Sequence, residues 1–514
     1  MILGFFNRHG VRPVFRKGGK IMRIVVRLVV LAVIAWMPLQ AFGQQEYASL
    51  PTSEEIFGWI KDLTSFGYRR TGTEAALKGE RYIETKFREF GLEQVRLEPI
   101  EVETWHREKW SFQIQRDGEW RSIPCFPVPF SHFTDPEGIQ ADAVYVGEGT
   151  EEAYARTGVK GRIVLFDVRF VPVVADHLRT GAHFFYDPRN TIPEGYSYPG
   201  TWMSPQRERV YQMAVEEGAA GLVGILMDMP ANKYTLYAPY PNPQEVSQPV
   251  PMVYVGRDDG QSLREVLERG IAKAHLTYSG HIEPGVTHNV VGVLPGKTDE
   301  AILISSHHDS PFAGAVEDGS GISMVLALAK YFSGTPAGQR DKTLWFVATA
   351  GHHYGSIGIN TFVRQHADDL NPKLLCAIHL EHVGKHFVER NGQLVDTGLA
   401  EPAAIFVSDV PLLITAAKEA LIRHNLERVF ILPAAAGVGP RPNPHGESGA
   451  YFSAGVPVAG FISGPVYLLF EDDTLDKVAV DRLRPTAAAF ADIVVRLDEA
   501  PREQIRPRAE SGDS

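Results

Sequence analysis

The sequence predicts an α/β fold with a mixed, mostly parallel sheet flanked by helices, and a smaller β-rich unit inserted into it. Three short apolar runs, residues 301–304, 344–347 and 374–378, have the length and composition of buried strands. Helix-like sequence separates them, as the crossovers between parallel strands require. Each run is followed by histidine and a possible carboxylate or second imidazole ligand. Because ligands of open α/β sheets bind at the carboxyl ends of strands, this edge is the predicted site.

The composition is that of an ordinary globular protein. The chain has 514 residues, of which 44% are hydrophobic and 22% are charged, enough for two or three domains. The net charge is −11 and no run of five or more Lys or Arg occurs, so we expect no nucleic-acid partner. Only Cys125 and Cys376 are present, which excludes a disulfide framework and disfavours cysteine as a metal ligand.

Residues 1–43 have the pattern of a secretory signal peptide. Basic residues Arg23 and Arg27 precede the apolar residues 28–37, and small residues follow at a cleavage-like end. The apolar run is shorter than the roughly 20 residues that a spanning helix needs. We therefore expect export to the periplasm or the extracellular space and no stable membrane span after cleavage, with an uncleaved anchor as the alternative.

Residues 44–140 form the first predicted part of the sheet domain. Apolar residues recur at helical spacing in residues 55–63 and 76–90, and Gly91 ends the second helix. Two strands are predicted next, at residues 95–104 and 110–114.

Residues 141–283 are predicted to be the small inserted domain. It contains a strand at 162–166, a helix at 207–217 and a second strand at 219–226. Its loops, residues 188–205 and 234–251, are dense in tyrosine and proline. Such loops are either a substrate rim or a stiff surface, and we favour the surface.

Residues 284–498 form the predicted catalytic part, in which residues 319–332 make a helix. Its apolar positions Ile322, Val325, Leu326 and Ala329 should pack on the sheet. Residues 499–514 are charged and contain proline and glycine, which predicts a disordered tail.

Several motifs, spread over nearly all of the chain after the leader, resemble one peptidase group. They are R-T-G-T at 70–73, H-N-V-V at 288–291, S-H-H-D-S at 306–310, G-A-V-E-D-G-S-G at 314–321 and D-T-L-D at 473–476. The group is the co-catalytic zinc aminopeptidases and carboxypeptidases (clan MH), with the glutamate carboxypeptidase II type and glutaminyl cyclases. Residues 159–164 and 218–221 resemble a protease-associated domain, so the resemblance implies a zinc-exopeptidase-like sheet with that domain inserted.

The first metal ligand and its carboxylate partner are retained. The resemblance places His307 at the first ligand position and Asp309 two residues on, in the outer shell. A carboxylate behind a ligating imidazole fixes its tautomer and raises its basicity.

The other site positions depart from the family pattern. Glu317 stands where the family has a bridging Asp, and Glu381 where it has another Asp ligand. His352 and His353 replace two glutamates, the general base and a ligand, and Leu468 replaces the last histidine. Four of these five replacements exchange one metal-competent side chain for another, which favours a re-tuned site over a decayed one.

This ligand set predicts one divalent metal ion. His307, Glu317 and Glu381 can all bind it, and His353 can complete the set or bind substrate instead. Leu468 cannot coordinate, so a second tightly held ion is not expected. Zinc fits best, with iron and manganese as alternatives.

The resemblance implies a metal-dependent hydrolase that acts on peptide or other amide bonds of small substrates, with His352 as general base. The alternatives are an inactive peptidase-like binding protein and a single-metal enzyme such as a cyclase or an amidase. His308 and His382 should point away from their ligand neighbours if strand alternation continues. His445 either contacts substrate or metal or belongs to a surface loop, and the pattern leaves the oligomeric state open.

Overall fold

The strands at the predicted site form where the apolar runs predict them. The structure is a computed structural model that describes residues 47–198, 200, 206–245, 248–370, 372–436 and 443–506. The predicted leader, residues 1–43, lies outside the described residues. From Leu50 onward the described residues form one unit.

The strands of the described residues, β1 to β19 in chain order, are Glu93–Arg116, Glu119–Ile123, Cys125–Pro127, Ile139–Tyr145, Ile163–Val168, Val173–Val174, Phe184–Tyr186, Ser197–Tyr198, Gly221–Leu226, Met252–Gly256, Ala272–Leu294, Ala301–His307, Thr343–Thr349, Leu374–Leu380, Lys385–Arg390, Gln393–Ala400, Ala403–Val407, Val429–Pro433 and Val458–Ser463.

The α-helices of the same residues, α1 to α13, are Ser53–Ser65, Glu74–Glu89, Glu151–Thr157, Ala175–Gly181, Gln206–Glu216, Arg257–Glu268, Gly321–Ser333, Ile357–Gln365, Ala367–Leu370, Pro411–Arg423, Ser448–Ser453, Val480–Glu499 and Arg502–Ile505.

Among the described residues, one sheet of 15 strands organises the fold. Strand β12 lies between β13 and β14 and runs parallel to both, and β14 runs parallel to β19. Strand β17 is antiparallel to β19, so the sheet is mixed but mostly parallel around the predicted site. The predicted fold class is confirmed: the α/β sheet is flanked by helices.

Apolar residues hold this part of the sheet. All seven residues of β12 and of β14 are buried, as expected for strands covered on both faces. Helix α7 buries Ile322, Val325, Leu326 and Ala329, the four positions that the helical pattern predicts. The site therefore stands on a rigid, close-packed base.

Strands β1 and β11 form a long antiparallel ribbon. The two strands predicted at 95–104 and 110–114 are one strand of 24 residues, with a register shift between Arg107 and Lys109. The charged residues between the two apolar stretches do not end the strand, because β11 supplies backbone hydrogen-bond partners throughout. One end of β11 pairs with β4 and the other with β13, so most strands of residues 141–283 join the same sheet. Strands β6 and β8 form a separate antiparallel pair. A separate protease-associated domain there stays a prediction.

The chain after residue 499 is partly ordered, contrary to the predicted tail. Residues Arg502–Ile505 form a helix and Ile505 is fully buried. Arg506 donates hydrogen bonds to the carbonyl oxygens of Leu370 and Leu374, at 2.8 and 2.7 Å. Burial of Ile505 and the hydrogen bonds of Arg506 keep this segment ordered despite its charged composition. Residues 507–514 lie outside the described residues.

Membrane-spanning segments are not found among the helices that the structure describes, since none combines sufficient length with sufficient apolar character.

Glu80 ties helix α2 to strand β11 just before the site. This buried carboxylate accepts hydrogen bonds from Thr287 Oγ1 (2.6 Å) and His288 N (3.0 Å) and pairs with His288 Nδ1 (2.7 Å). Burial raises the pKa of Glu80, but the bonds from His288 and Thr287 outweigh burial, and the pKa is lowered from its ordinary value of 4.5. The carboxylate therefore stabilises the fold above about pH 4.5, and this contribution is lost as the pH falls through the folded-state pKa.

Glu80→Gln should lower the free energy of unfolding at pH 7 by about 1–3 kcal/mol, because it weakens these buried bonds. Urea unfolding at pH 7 and at pH 3.5 measures this, and the difference from the wild type should shrink at the lower pH. Glu84, on the same helix and paired with Arg88, is the control, and Glu84→Gln should change stability by less than about 0.5 kcal/mol. An equal loss in both variants would contradict the assignment.

Candidate metal centre

The three predicted strand ends meet at one place. His307 is the last residue of β12, His352 and His353 follow β13, and Glu381 and His382 follow β14. Since these strands are neighbours and run parallel, their carboxyl ends lie side by side. All five side chains are buried, with at most 8% of each residue exposed.

The carboxylate of Glu317 lies at the centre of this cluster. Its Oε1 is 3.3 Å from His307 Nε2 and 3.1 Å from His353 Nε2, and its Oε2 is 2.8 Å from His382 Nε2. None of these five buried atoms has a hydrogen-bond partner among the described residues. Unsatisfied buried polar atoms are costly, so their convergence indicates that a further group belongs between them.

The tautomers of His307 and His382 indicate that the group between these side chains is a cation. His307 Nδ1 lies 3.1 Å from the carbonyl oxygen of Asp309, and His382 Nδ1 lies 2.7 Å from that of Ser463. A carbonyl oxygen only accepts, so each Nδ1 carries the proton, and in neutral imidazole the Nε2 then presents a lone pair. Lone pairs of imidazole nitrogens thus face the lone pairs of a carboxylate. This is the arrangement of metal-ligating histidines.

The spacing also fits a small divalent ion. Ligands about 2.0–2.1 Å from a tetrahedral centre lie roughly 3.3 Å from one another. The two separations of 3.3 and 3.1 Å from Glu317 Oε1 match this edge. The ligand atoms of His307, Glu317 and His352 also lie within 4.8 Å of one another, as do those of His307, Asp318 and His382. The residues present therefore fit a zinc-like ion.

Without a cation, protons compensate the charge. Burial lowers the pKa of His382, but the carboxylate of Glu317 outweighs burial and raises the pKa to about 9. Burial raises the pKa of Glu317, yet the charge of His382 and the neighbouring imidazoles of His307 and His353 hold it well below its ordinary value. A metal ion that binds here must displace such protons, so its affinity should rise with pH.

Asp473 holds the loop that carries Glu317. Its two carboxylate oxygens accept hydrogen bonds from the backbone N–H groups of Val316 (2.9 Å) and Glu317 (2.8 Å). The next residue, Asp318, accepts from Ser306 and from Gly321 N (2.9 Å). Both sides of the Glu317 loop are thereby fixed.

Asp309 positions the turn after β13 as well as His307. Its carboxylate accepts the backbone N–H groups of His352 (2.9 Å) and His353 (3.0 Å). Its Oδ1 lies 3.7 Å from His307 Nδ1, while its carbonyl oxygen is the closer partner of that nitrogen. Asp309 thus orients His307 partly through its backbone carbonyl oxygen, and its carboxylate also holds the backbone of His352 and His353.

His352 lies between a carboxylate and a phenol. Its Nδ1 is 3.3 Å from Glu447 Oε1 and its Nε2 is 3.3 Å from Tyr240 Oη. Its ring stacks on that of His307, with centroids 4.2 Å apart. Burial raises the pKa of Tyr240 above its ordinary value, so this phenol stays a neutral donor.

Glu381 lies against the loop of Glu447. Its Oε1 is 2.7 Å from His379 Nε2 and accepts the backbone N–H of Glu447 at 3.0 Å. Its Oε2 lies 3.9 Å from His382 Nε2. Gly446 has a φ of +75°, and a Cβ there would lie 2.5 Å from Glu381 Oε1, so only glycine lets the loop approach this closely. Glu381 as a ligand stays a prediction.

Two expectations about side chains were wrong. His382 points into the cluster, because its φ of +57° is left-handed and the alternation of an extended strand does not continue through it. The loop of residues 234–251 is not merely surface: the ring of Tyr240 lies 4.8 Å from that of His353. His308 does point away and bonds to the carbonyl oxygen of His288.

Glu447 and Tyr240 were missed from the sequence as site residues. The only signals for them were the H-G-E-S stretch that begins at His445 and the tyrosine-rich loop of residues 234–251. His445 itself is partly buried against Phe406, with ring centroids 5.4 Å apart, and its role as ligand or substrate contact stays a prediction. Leu468 is buried and offers no donor atom.

The sequence of the chain is similar to those of known peptidases. Residues 289–401 match Peptidase family M28. Carboxypeptidase Q from Xenopus laevis is 23% identical over 321 residues, which are 60% of this chain and 61% of the relative. The chain thus spans about three fifths of the length of that relative.

Two solved structures share the fold. The aminopeptidase from Aneurinibacillus sp. strain AM-1 is 21% identical, with a TM-score of 0.60 over 88% of this chain and 95% of that one. BSAP, a zinc aminopeptidase from Bacillus subtilis, is 18% identical, with a TM-score of 0.61 over 89% of this chain and 98% of that one. The family match and carboxypeptidase Q thus confirm the predicted resemblance to the co-catalytic zinc exopeptidases, and the two solved structures confirm its fold.

Proposed function

We propose that the chain is a hydrolase of the aminopeptidase type that acts on peptide or other amide bonds with one divalent metal ion, preferably zinc. The observation that carries this proposal is the set of unsatisfied nitrogen lone pairs around the Glu317 carboxylate. His307, Glu317 and His353 are the proposed ligands. His382 and Glu381 are available to complete the coordination.

A divalent ion held there would lower the pKa of a water molecule and polarise a substrate carbonyl. The chain's own residues then handle the protons. His352 takes a proton at Nε2, because its Nδ1 faces Glu447, and passes it to the leaving amine. The carboxylate of Glu447 fixes the tautomer and stabilises the imidazolium. Tyr240, close to the same Nε2, supplies a neutral hydroxyl for the substrate oxygen.

A single ion is proposed because the second site has lost a ligand. The family's final histidine position is Leu468, which cannot coordinate, and His353 lies beside the same Glu317 oxygen as His307. The replacement of one ligand and of the general base by His353 and His352 removes negative charge from the centre. One ion therefore balances the charge that remains.

We propose that the protein is exported, since the sequence of residues 1–43 has the pattern of a signal peptide. Two buried free thiols and no disulfide framework are compatible with an oxidising compartment, because the described cysteines are inaccessible.

Metal removal tests the function directly. Purified protein loaded with zinc should release p-nitroaniline from leucine p-nitroanilide, and dialysis against a chelator should reduce this rate at least about 100-fold, with recovery on adding about one equivalent of zinc. The N-acetylated substrate is the control for a free amino terminus. Absence of amide hydrolysis with metal bound, or equal rates without it, would refute the proposal.

A further inference from the structure

Two arginines share one tyrosine ring near the metal centre. The guanidinium carbon of Arg107 lies 5.1 Å from the ring centroid of Tyr237, and that of Arg70 lies 5.5 Å from it. Arg70 also stacks on Phe312 at 5.8 Å, and Arg107 on Phe126 at 5.0 Å. Two like charges are thus held together by aromatic faces, which attract each of them.

These guanidinium groups have no anionic partner in the part of the chain that the structure describes. Among the described residues, no ion pair within 4 Å includes Arg70 or Arg107, whereas Arg179, Arg207 and Arg264, which also stack on aromatic rings, are each paired with Asp or Glu. The N–H groups of both arginines also make few hydrogen bonds. Arg70 Nε donates to the carbonyl oxygen of Pro311 at 2.8 Å, and the buried Arg107 Nη1 has no partner. Burial, and then the charge of Arg107, lowers the pKa of Arg70. Two partly buried cations without a counter-charge would both gain from an anion.

The tyrosine connects this pair to the proposed active site. The ring of Tyr237 lies 5.9 Å from that of His353, so one ring separates the guanidinium groups from a proposed metal ligand. These contacts place each guanidinium carbon within about 11 Å of the His353 ring, which is roughly the length of three extended residues of 3.3–3.6 Å each. An anion bound by the arginines would therefore belong to the same substrate as the bond under attack.

We propose that Arg70 and Arg107 form a subsite for a substrate carboxylate, so that the enzyme selects acidic substrates. Guanidinium groups bind carboxylates through parallel N–H donors, which provides geometry as well as charge. The carboxylate comes from an Asp or Glu side chain of the substrate or from its free carboxyl terminus. The role of this subsite in substrate selection rests on the proposed function, whereas anion binding by the two arginines can be tested without it.

Paired substrates separate the two sources of the carboxylate. Glutamate and glutamine p-nitroanilides test the side chain, and alanyl-leucine and alanyl-leucine amide test the terminus. In at least one pair, kcat/KM should favour the acid by roughly 10–100-fold, as loss of a charge-assisted hydrogen bond would predict. In the double variant Arg70→Gln, Arg107→Gln this ratio should fall towards one. The absence of a preference in both pairs would overturn the proposal.

A binding measurement tests the carboxylate subsite separately from the proposed hydrolase activity. Calorimetry of metal-free protein with glutarate, and with glutaramide as the neutral probe, should detect glutarate only, with affinity at least 10-fold weaker in the double variant. Arg264→Gln is the matched control, because Arg264 stacks on Tyr145 but is already paired with Asp167. Glutarate binding that is absent, or equal in the double variant and the wild type, would also overturn the subsite.

Discussion

Replacing Glu317 with glutamine should abolish stoichiometric metal binding while the fold remains. Its carboxylate faces His307, His353 and His382 together, and an amide cannot neutralise a divalent ion. We expect affinity to fall by more than the 10–100-fold that loss of an outer-shell partner costs. Metal analysis after gel filtration and zinc titration of metal-free protein measure this loss.

Thermal unfolding gives an independent readout of the same variant. Zinc at 100 times its dissociation constant should stabilise the wild type by about 2.7 kcal/mol, and Glu317→Gln should show almost none of this shift. Glu401→Gln is the matched control, since Glu401 is also a buried glutamate paired with a histidine, His386, at 2.7 Å. Equal zinc content in Glu317→Gln and Glu401→Gln would show that the ion, if any, binds elsewhere.

His352→Gln should retain metal and lose roughly 10²–10⁴-fold in kcat, the usual contribution of a general base. Glu447→Gln should cause a smaller loss and change the pH profile. Burial and the charge of His307 lower the pKa of His352, while Glu447 raises it, and the balance is a raised pKa. Because the base acts when deprotonated, removal of the Glu447 charge should move the rising limb of kcat against pH to lower pH.

A second buried His–Glu pair supplies the control for both variants. His386→Gln and Glu401→Gln alter a pair of the same chemistry, in which His386 Nδ1 lies 2.7 Å from Glu401 Oε2 and its Nε2 faces Tyr196 instead of the Glu317 cluster. Both should keep the wild-type pH profile. Full activity in His352→Gln, or an unmoved pH limb in Glu447→Gln, would remove these residues from the proposed reaction.

The position of the site could be predicted from the sequence because it depends on local patterns. Apolar runs of strand length, each followed by histidine or carboxylate, define which ends of β12, β13 and β14 meet, and parallel pairing brings those ends to one edge. His307 and His353 were placed at this edge in this way, whereas Glu317 was placed by the resemblance of residues 314–321. The structure brings both imidazoles to Glu317 Oε1.

The inward direction of His382 could not be predicted, since it depends on one left-handed backbone angle that alternation does not reveal. Glu447, Tyr240 and the arginine pair on Tyr237 were equally out of reach. These residues come from loops or from a ribbon far away in sequence, and only long-range packing brings them to the strand ends.

The amino-acid sequence alone determined the fold class, the metal-competent residue types and the edge of the sheet where they lie, because hydrophobic periodicity and ligand chemistry are local properties of the chain. The tertiary structure alone decided that imidazole nitrogens face the Glu317 carboxylate, that Glu447 lies against His352, and that Arg70 and Arg107 lack a carboxylate partner among the described residues. Those are distances between segments separated by up to hundreds of residues, and no pattern within one segment encodes them.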